Sequence, residues 1–197
     1  FYCQHAMVSE YFPPLEFDFS FLDGKMSNEK YRRVNSTSEV YLTGSGYLDE
    51  LSNSNSSIES NAPIVFGLCF NKIDSDDFIK NLISELTVHL KSNESILVRL
   101  HPADKRLNYL KNEITSNNVD FSEAKSESMS LFLERVHALL AGDSSVHLEA
   151  VLKNKLSCTL SYWSTDYYGF VKEGIITNIS SVVEYCLKVR NVNPEAL

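Results

Sequence analysis

Ile64-Val65-Phe66-Gly67-Leu68-Cys69-Phe70 is an unbroken apolar run bounded by Pro63 and Asn71. A strand that alternates apolar and polar residues can face water on one side, but one with no polar side has to be covered on both. Parallel sheets with helices on each face meet that condition. The rest of the chain supplies the remaining layers. Asp74-Ser75-Asp76-Asp77 can cap a helix from about residue 77 to 90, where Phe78, Leu82, Ile83, Leu86 and Leu90 recur at helical spacing. Ile96 to Leu100 then reads as a strand stopped by His101-Pro102, and a helix follows around 105–115. Ser128 to Val136 reads as a helix, His137 to Gly142 as a buried strand, and Asp143-Ser144-Ser145 as the opening of a helix through Leu152. Ser157 to Ser161 makes a further strand, and Ser180-Ser181 caps a last helix over 182–189. Strands alternating with helices through short loops predict right-handed crossovers. The expected fold is therefore a Rossmann-like three-layer αβα domain with a mostly parallel sheet, starting near residue 62.

The chain before that point has no such rhythm. Phe17, Phe19 and Phe21 alternate with Asp18 and Ser20 as a short half-buried strand does, Glu39 to Thr43 reads as another strand, and Gly44-Ser45-Gly46 as a turn. Ser52 to Ser60 is almost wholly Ser, Asn and acid, the composition of an exposed connector. The chain opens Phe1-Tyr2-Cys3-Gln4-His5, without an initiator Met or a basic leader, so a piece of a longer protein is expected.

Composition narrows the function. Eighteen Lys and Arg against 26 Asp and Glu give a formal charge of −8, with no segregated basic stripe, which argues against a nucleic-acid partner. The apolar runs fall far short of the ~20 residues that span a bilayer. Cys3, Cys69, Cys158 and Cys186 are widely separated with no CxxC pair, and two lie in apolar runs, which reads as reduced buried thiols in a cytoplasmic protein and gives no metal site. No GxGxxG and no GxxxxGK[ST] occurs, which disfavours a dinucleotide cofactor and a P-loop. No cofactor is expected.

In an open parallel sheet the ligand crevice lies at the carboxyl ends of the strands, so the residues after each strand carry the chemistry. Ser144 and Ser145 sit where a helix begins, and their hydroxyls with the first-turn N–H groups suit a phosphate. Glu149, about one turn on, shares the face of Ser145 and is within reach of a ribose hydroxyl. A plain helix cap with a solvated glutamate accounts for the same residues. His101 is presented at the sheet rim by Pro102, where it can donate to a phosphate or carry a proton, or simply end a strand. Lys105 and Arg106 add positive charge to that loop. His137 and His147 read as structural, His89 as a helix-surface residue, and the aromatic loop Tyr162 to Gly169 as either a stacking platform or an apolar lid.

A strand ending in His-Pro, followed by a strand ending in a Ser pair and a helix bearing Glu, resembles the donor-binding C-terminal half of GT-B fold glycosyltransferases. The bacterial capsule and lipopolysaccharide enzymes are most similar: sialyltransferases, polysialyltransferases, Kdo transferases and the CDP-glycerol group. The resemblance implies that His101 and Pro102 contact the nucleotide, with His101 the residue carried over as catalytic, that Ser144 and Ser145 hold its phosphate, and that Glu149 meets the ribose. Gln4-His5-Ala6 is similar to the Gln-His-Gly at the crossover between the two halves of such enzymes, which makes His5 an interdomain candidate and residues 1–61 a crossover segment and connector ahead of a donor domain over 62–197. It further implies a CMP- or UDP-sugar donor, a CMP-linked acidic sugar preferred. A glycan or glycolipid acceptor would be held by an N-terminal half. The setting implied is the cytoplasm, or the inner-membrane surface for the full-length enzyme. The fragment alone should bind donor and turn over little. Two alternatives stay open: an enzyme like UDP-sugar 2-epimerase, which would need an Asp-Ser-Gly-Gly turn that Asp143-Ser144-Ser145-Val146 lacks, and a non-catalytic nucleotide-sugar-binding module.

Overall fold

A computed structural model of the chain describes residues 1–4, 7–9, 11–53 and 63–191. Strands β1 (Tyr2–Cys3), β2 (Phe19–Leu22) and β3 (Glu39–Leu42), with helices α1 (Lys25–Arg33) and α2 (Gly46–Asn53), precede the apolar run. That run is β4 (Ile64–Phe70), followed by α3 (Asp76–Val88), β5 (Glu94–Leu100), α4 (Leu107–Glu113), β6 (Val119–Ser122) and α5 (Met129–Arg135). The chain ends with β7 (Ala138–Ala141), α6 (Val146–Leu152), β8 (Leu156–Leu160), β9 (Thr177–Ile179) and α7 (Val182–Asn191).

Among the described residues all strand pairs are parallel, in one sheet ordered β1-β2-β3 and a second ordered β6-β5-β4-β7-β8-β9. The expected α/β class with a mostly parallel sheet is what forms. Along β4 and β5 the two faces separate by residue parity, as a pleated strand requires. Phe66, Leu68, Phe70, Ile96, Val98 and Leu100 enter a core shared with α3 and α7. Cys69 and Leu97 enter the opposite core, built on Phe132 and Leu133 of α5 and Val146 and Ala150 of α6. Gly67 is required by closeness: a Cβ there would lie 2.9 Å from the Ala138 carbonyl oxygen of β7.

Caps set the helix starts. Ser75 Oγ accepts from the Phe78 N–H at 3.2 Å, and Ser128 Oγ from the Leu131 N–H at 3.2 Å. At α7, Ser181 Oγ accepts from the Glu184 N–H at 3.2 Å while the Glu184 carboxylate accepts from the Ser180 N–H at 2.9 Å, a reciprocal pair that closes the first turn.

Five elements had no clear sequence signal: α1, α2, the two-residue β1, and the strands β6 and β9 of four and three residues at the edges of the larger sheet. The early region thus carries more than two strands. It has its own sheet, two helices and a small core of Val8, Leu15, Leu22 and Tyr31. The helix expected over 105–115 is shorter because the Asp104 carboxylate accepts from the Arg106 N–H at 2.9 Å and holds the chain in a turn until Leu107. Of the connector expected over 52–60, residues 52 and 53 belong to α2 and the rest lies outside the described residues. The early sheet is tied to the later one by Lys30, whose Nζ donates to the Val8 carbonyl at 2.8 Å and the Tyr168 carbonyl at 2.7 Å.

Candidate functional site

In the six-stranded sheet the chain moves outward from β4 through β5 to β6, then returns to lay β7 on the other side of β4. Loops from two directions diverge at this switch, and a crevice opens between them. It has a volume of about 370 Å³ and is lined by Arg99, His101, Pro102, Ser144, Ser145 and Glu149, together with Asn71 and Met129. The structure therefore brings together His101, Pro102, Ser144, Ser145 and Glu149, which come from two separate loops and one helix. His5 lies outside the described residues.

Each group has a defined posture. The His101 N–H donates to the Phe70 carbonyl at 3.0 Å, which fixes the end of β5 beside β4. Its ring Nδ1 accepts from the Ala103 N–H at 3.1 Å, so a neutral His101 carries its proton on Nε2 and offers a donor at the exposed ring edge. Ser145 stands at the cap position of α6 with φ −66° and ψ −18° and makes no side-chain cap bond. Ser144 Oγ makes only a long 3.4 Å contact with the Val146 N–H. A plain serine cap is thus not what this turn contains, and both serines line the crevice.

Glu149 lies deeper on α6. Burial pushes its carboxyl up from the ordinary range, opposed by a hydrogen bond from Tyr47 and by the charge of Arg99. The Tyr47 hydroxyl of α2 donates to Glu149 Oε2 at 2.6 Å.

Arg99 and Tyr47 are the residues that sequence reasoning missed. Arg99 is 4% exposed, shares the face of Leu97 and His101, and lies over the Phe132 ring at 5.5 Å. Its Nη1 donates to Ser122 Oγ at 2.6 Å and its Nη2 to the Glu127 carbonyl at 2.7 Å, so it fixes the β6–α5 loop against the crevice. Its Nε is buried with no hydrogen-bond partner among the described residues. The signal was present, since a cation inside Ile96-Leu97-Val98-Arg99-Leu100 must either be partnered or serve a site. Tyr47 had no comparable signal.

Other candidates have structural roles. Arg106 does not face the crevice. It is held by both oxygens of Asp104, by Asp76 Oδ1 at 2.7 Å and by the Asp74 carbonyl at 2.7 Å, which pins the β5–α4 loop to the β4–α3 loop. His147 is buried, with Nδ1 2.7 Å from Ser157 Oγ and Nε2 2.9 Å from the Gly142 carbonyl. His137 Nδ1 accepts from the Val65 N–H at 3.1 Å. His89 ends α3, and its carbonyl accepts from Arg190. Cys69 lines the crevice, but burial pushes its thiol up to about 12, which removes it as a nucleophile near neutral pH.

The loop over 162–169 packs as a lid through Trp163 and leaves Tyr162 exposed. Trp163 sits against Phe70 at 5.2 Å and Phe78 at 5.1 Å and donates to Asp74 Oδ1 at 2.8 Å. Asp143 anchors the lid, accepting from Ser164 Oγ, both the N–H and hydroxyl of Thr165, and the Tyr167 N–H, all within 2.7–2.9 Å. Burial alone would raise the Asp143 carboxyl, but those bonds together hold it below its ordinary range. Among the described residues no group of three or more His, Cys, Asp or Glu is placed to hold a metal ion, and no helix is long and apolar enough to cross a membrane.

No protein-family model matches the sequence, and no curated protein does. Solved structures do match in fold. UDP-GlcNAc 2-epimerase from Methanocaldococcus jannaschii, solved with UDP-GlcNAc and UDP, is similar at TM-score 0.59 and 16% identity, over 90% of this chain and 55% of the epimerase. The glycotransferase of kitacinnamycin is similar at TM-score 0.51 and 10% identity, over 90% of this chain and 44% of its own. The glycosyltransferase SnogD from Streptomyces nogalater matches at TM-score 0.49 and 16% identity, over 84% of this chain and 52% of its own. The chain spans about half the length of the structures it matches. At these identities the likeness is one of fold, the Rossmann-like α/β fold that the epimerase and GT-B glycosyltransferases share.

Proposed function

We propose that this chain is the donor-binding half of a glycosyltransferase that uses a nucleotide-activated sugar, with residues 62–197 forming the donor domain. One observation carries the reading: His101, Ser144, Ser145, Glu149 and Arg99 line a single crevice at the switch point of the sheet. A nucleoside phosphate fits its chemistry from end to end. The Ser144 and Ser145 hydroxyls and the N–H groups behind them meet the phosphate, His101 Nε2–H donates to an oxygen of the leaving group, and Glu149 accepts from the ribose. Arg99 adds a buried positive charge behind the phosphate and keeps the β6–α5 loop in register beside the nucleoside.

In the transfer step the bond from the anomeric carbon to the phosphate oxygen breaks as the acceptor oxygen attacks. The negative charge growing on the phosphate is met by fixed donors already pointing at it. The base that takes the acceptor proton belongs to a second half of the enzyme, which also holds the glycan or glycolipid acceptor. The preferred donor is a CMP-linked acidic sugar, and the setting is bacterial surface polysaccharide synthesis in the cytoplasm or at the inner face of the membrane.

The test is calorimetric titration of the chain with CMP, UMP, CDP and UDP. The wild-type chain binds at least one of them, and His101→Ala and the Ser144→Ala/Ser145→Ala pair each weaken that binding roughly tenfold, the loss of about 1–2 kcal/mol of charge-assisted hydrogen bonding. Binding that is indifferent to all these substitutions overturns the assignment. The epimerase likeness at TM-score 0.59 favours a second reading, turnover of UDP-GlcNAc at C2. Val146 stands where the epimerase turn needs glycine, so the same chain incubated with UDP-GlcNAc should return it unchanged.

A further inference from the structure

We infer that Tyr47 is a positioning residue of the nucleotide site, one that holds the Glu149 carboxylate in the posture in which it accepts a ribose hydroxyl. The inference rests on the reading of Glu149 as the ribose contact. Its own basis is the geometry: Tyr47 on α2 and Glu149 on α6 are joined by a 2.6 Å hydrogen bond between two helices that belong to different parts of the chain. That length is typical of a hydroxyl donating to an ionised carboxylate, the stronger kind of hydrogen bond.

The bond leaves the carboxylate with capacity to spare. An ionised glutamate has two oxygens and about four lone-pair sites, and one phenol occupies one of them. Oε2 is therefore tethered while Oε1 remains for a ligand in the crevice that Glu149 lines. Without the tether the side chain can turn about its own torsions, and ordering it again on binding costs affinity.

Charge acts in the same direction. The charged or ionisable groups that act on the Glu149 carboxylate are the Tyr47 hydroxyl from α2 and the Arg99 guanidinium from β5, and the Cys69 thiol of β4 senses its charge in turn. Burial disfavours the carboxylate form that a ribose hydroxyl needs as acceptor, while Tyr47 and Arg99 favour it. Tyr47 is half exposed, so Tyr47→Phe removes one oxygen without opening a core cavity.

The experiment is a double-mutant cycle on the full chain, read by titration with CMP or whichever nucleotide binds, and with inorganic phosphate alone. Glu149→Gln weakens nucleotide binding about tenfold, Tyr47→Phe about fivefold, and the double variant no further than Glu149→Gln. Phosphate binding is unchanged by Tyr47→Phe. In that variant the loss of nucleotide affinity on acidification sets in at a higher pH than in the wild-type chain, because Glu149 protonates more readily. Tyr47→Phe with wild-type affinity, penalties that multiply in the double variant, or an equal loss of phosphate binding would each overturn the role of Tyr47. Glu149→Gln without effect on the nucleotide instead overturns the ribose reading beneath it.

Discussion

Gly142 follows β7 directly and hands the chain to Asp143-Ser144-Ser145, and it has no room for a side chain. A Cβ at this position would lie 2.6 Å from Trp163 Nε1, 2.9 Å from Cε2 and 3.0 Å from Cδ1. The indole would have to move, and it is poorly placed to do so. It is wedged between Phe70 and Phe78, and its N–H donates to Asp74 at 2.8 Å. Gly142→Ala therefore forces a choice between a strained backbone and a displaced ring. Overpacking of this kind costs about 1–3 kcal/mol, and loss of the bond to Asp74 adds about 1.5–3 kcal/mol because the acceptor is a carboxylate. Gly142 lies outside the left-handed region, so alanine recovers roughly 0.5–1 kcal/mol by restricting the unfolded chain. Taken at mid-range the net loss is about 3–4 kcal/mol, a fall in Tm of roughly 6–16 °C for a chain of this size. Trp163 is the only tryptophan, so its emission reports the ring directly. Thermal melts followed by circular dichroism, with emission spectra of the folded state, make the assay. A variant that melts with the wild-type chain and keeps its emission maximum refutes the packing argument.

Two further outcomes follow from buried polar groups. Burial holds the His147 imidazole down to about 4 from an ordinary 6.5, so the unfolded chain binds this proton first as pH falls. Its contribution is complete above about pH 6.5 and is lost progressively toward pH 4; at about 1.4 kcal/mol per pH unit it amounts to about 3 kcal/mol. Urea titrations across that range should show a slope that flattens in His147→Gln. Arg190 meets both oxygens of Glu94, at 2.8 and 2.6 Å, and the Glu94 side chain is 1% exposed. Arg190→Met leaves that carboxylate buried without its guanidinium, held by the Lys91 N–H at 2.8 Å, at a cost of about 3–5 kcal/mol in urea unfolding.

The fold from residue 63 onward was legible because its strands are buried on both faces and its helices present one apolar stripe, patterns that survive without any knowledge of neighbours. What escaped detection was set by neighbours. β6 and β9 are edge strands of four and three residues, too short to show a period, and they form because β5 and β8 offer free edges. α1 carries mostly polar and charged residues, and its buried positions Lys30 and Tyr31 make sense only against Val8 and the lid carbonyl of Tyr168. Among the site residues, His101, Ser144 and Ser145 follow strands, and strand ends can be read. Arg99 stands out in the sequence only as a cation inside an apolar strand, and Tyr47 arrives from α2, so no local spacing ties either to the crevice. Arg106 shows the converse: charge in a loop suggested a ligand, and nearby aspartates had already claimed it.

The strand order that opens the crevice also has a cost during synthesis. β4 is the first strand of its sheet to be made, and it takes a central place with β5 on one side and β7 on the other. The β7 side has no partner until residues 71–137 have been added, about 3–13 s at ~5–20 residues per second. Throughout that interval a seven-residue apolar strand presents a row of unpaired N–H and C=O groups. The nascent chain is then most open to pairing with another copy of itself, and the hazard ends only when the loop bearing Ser144 and Ser145 is about to emerge.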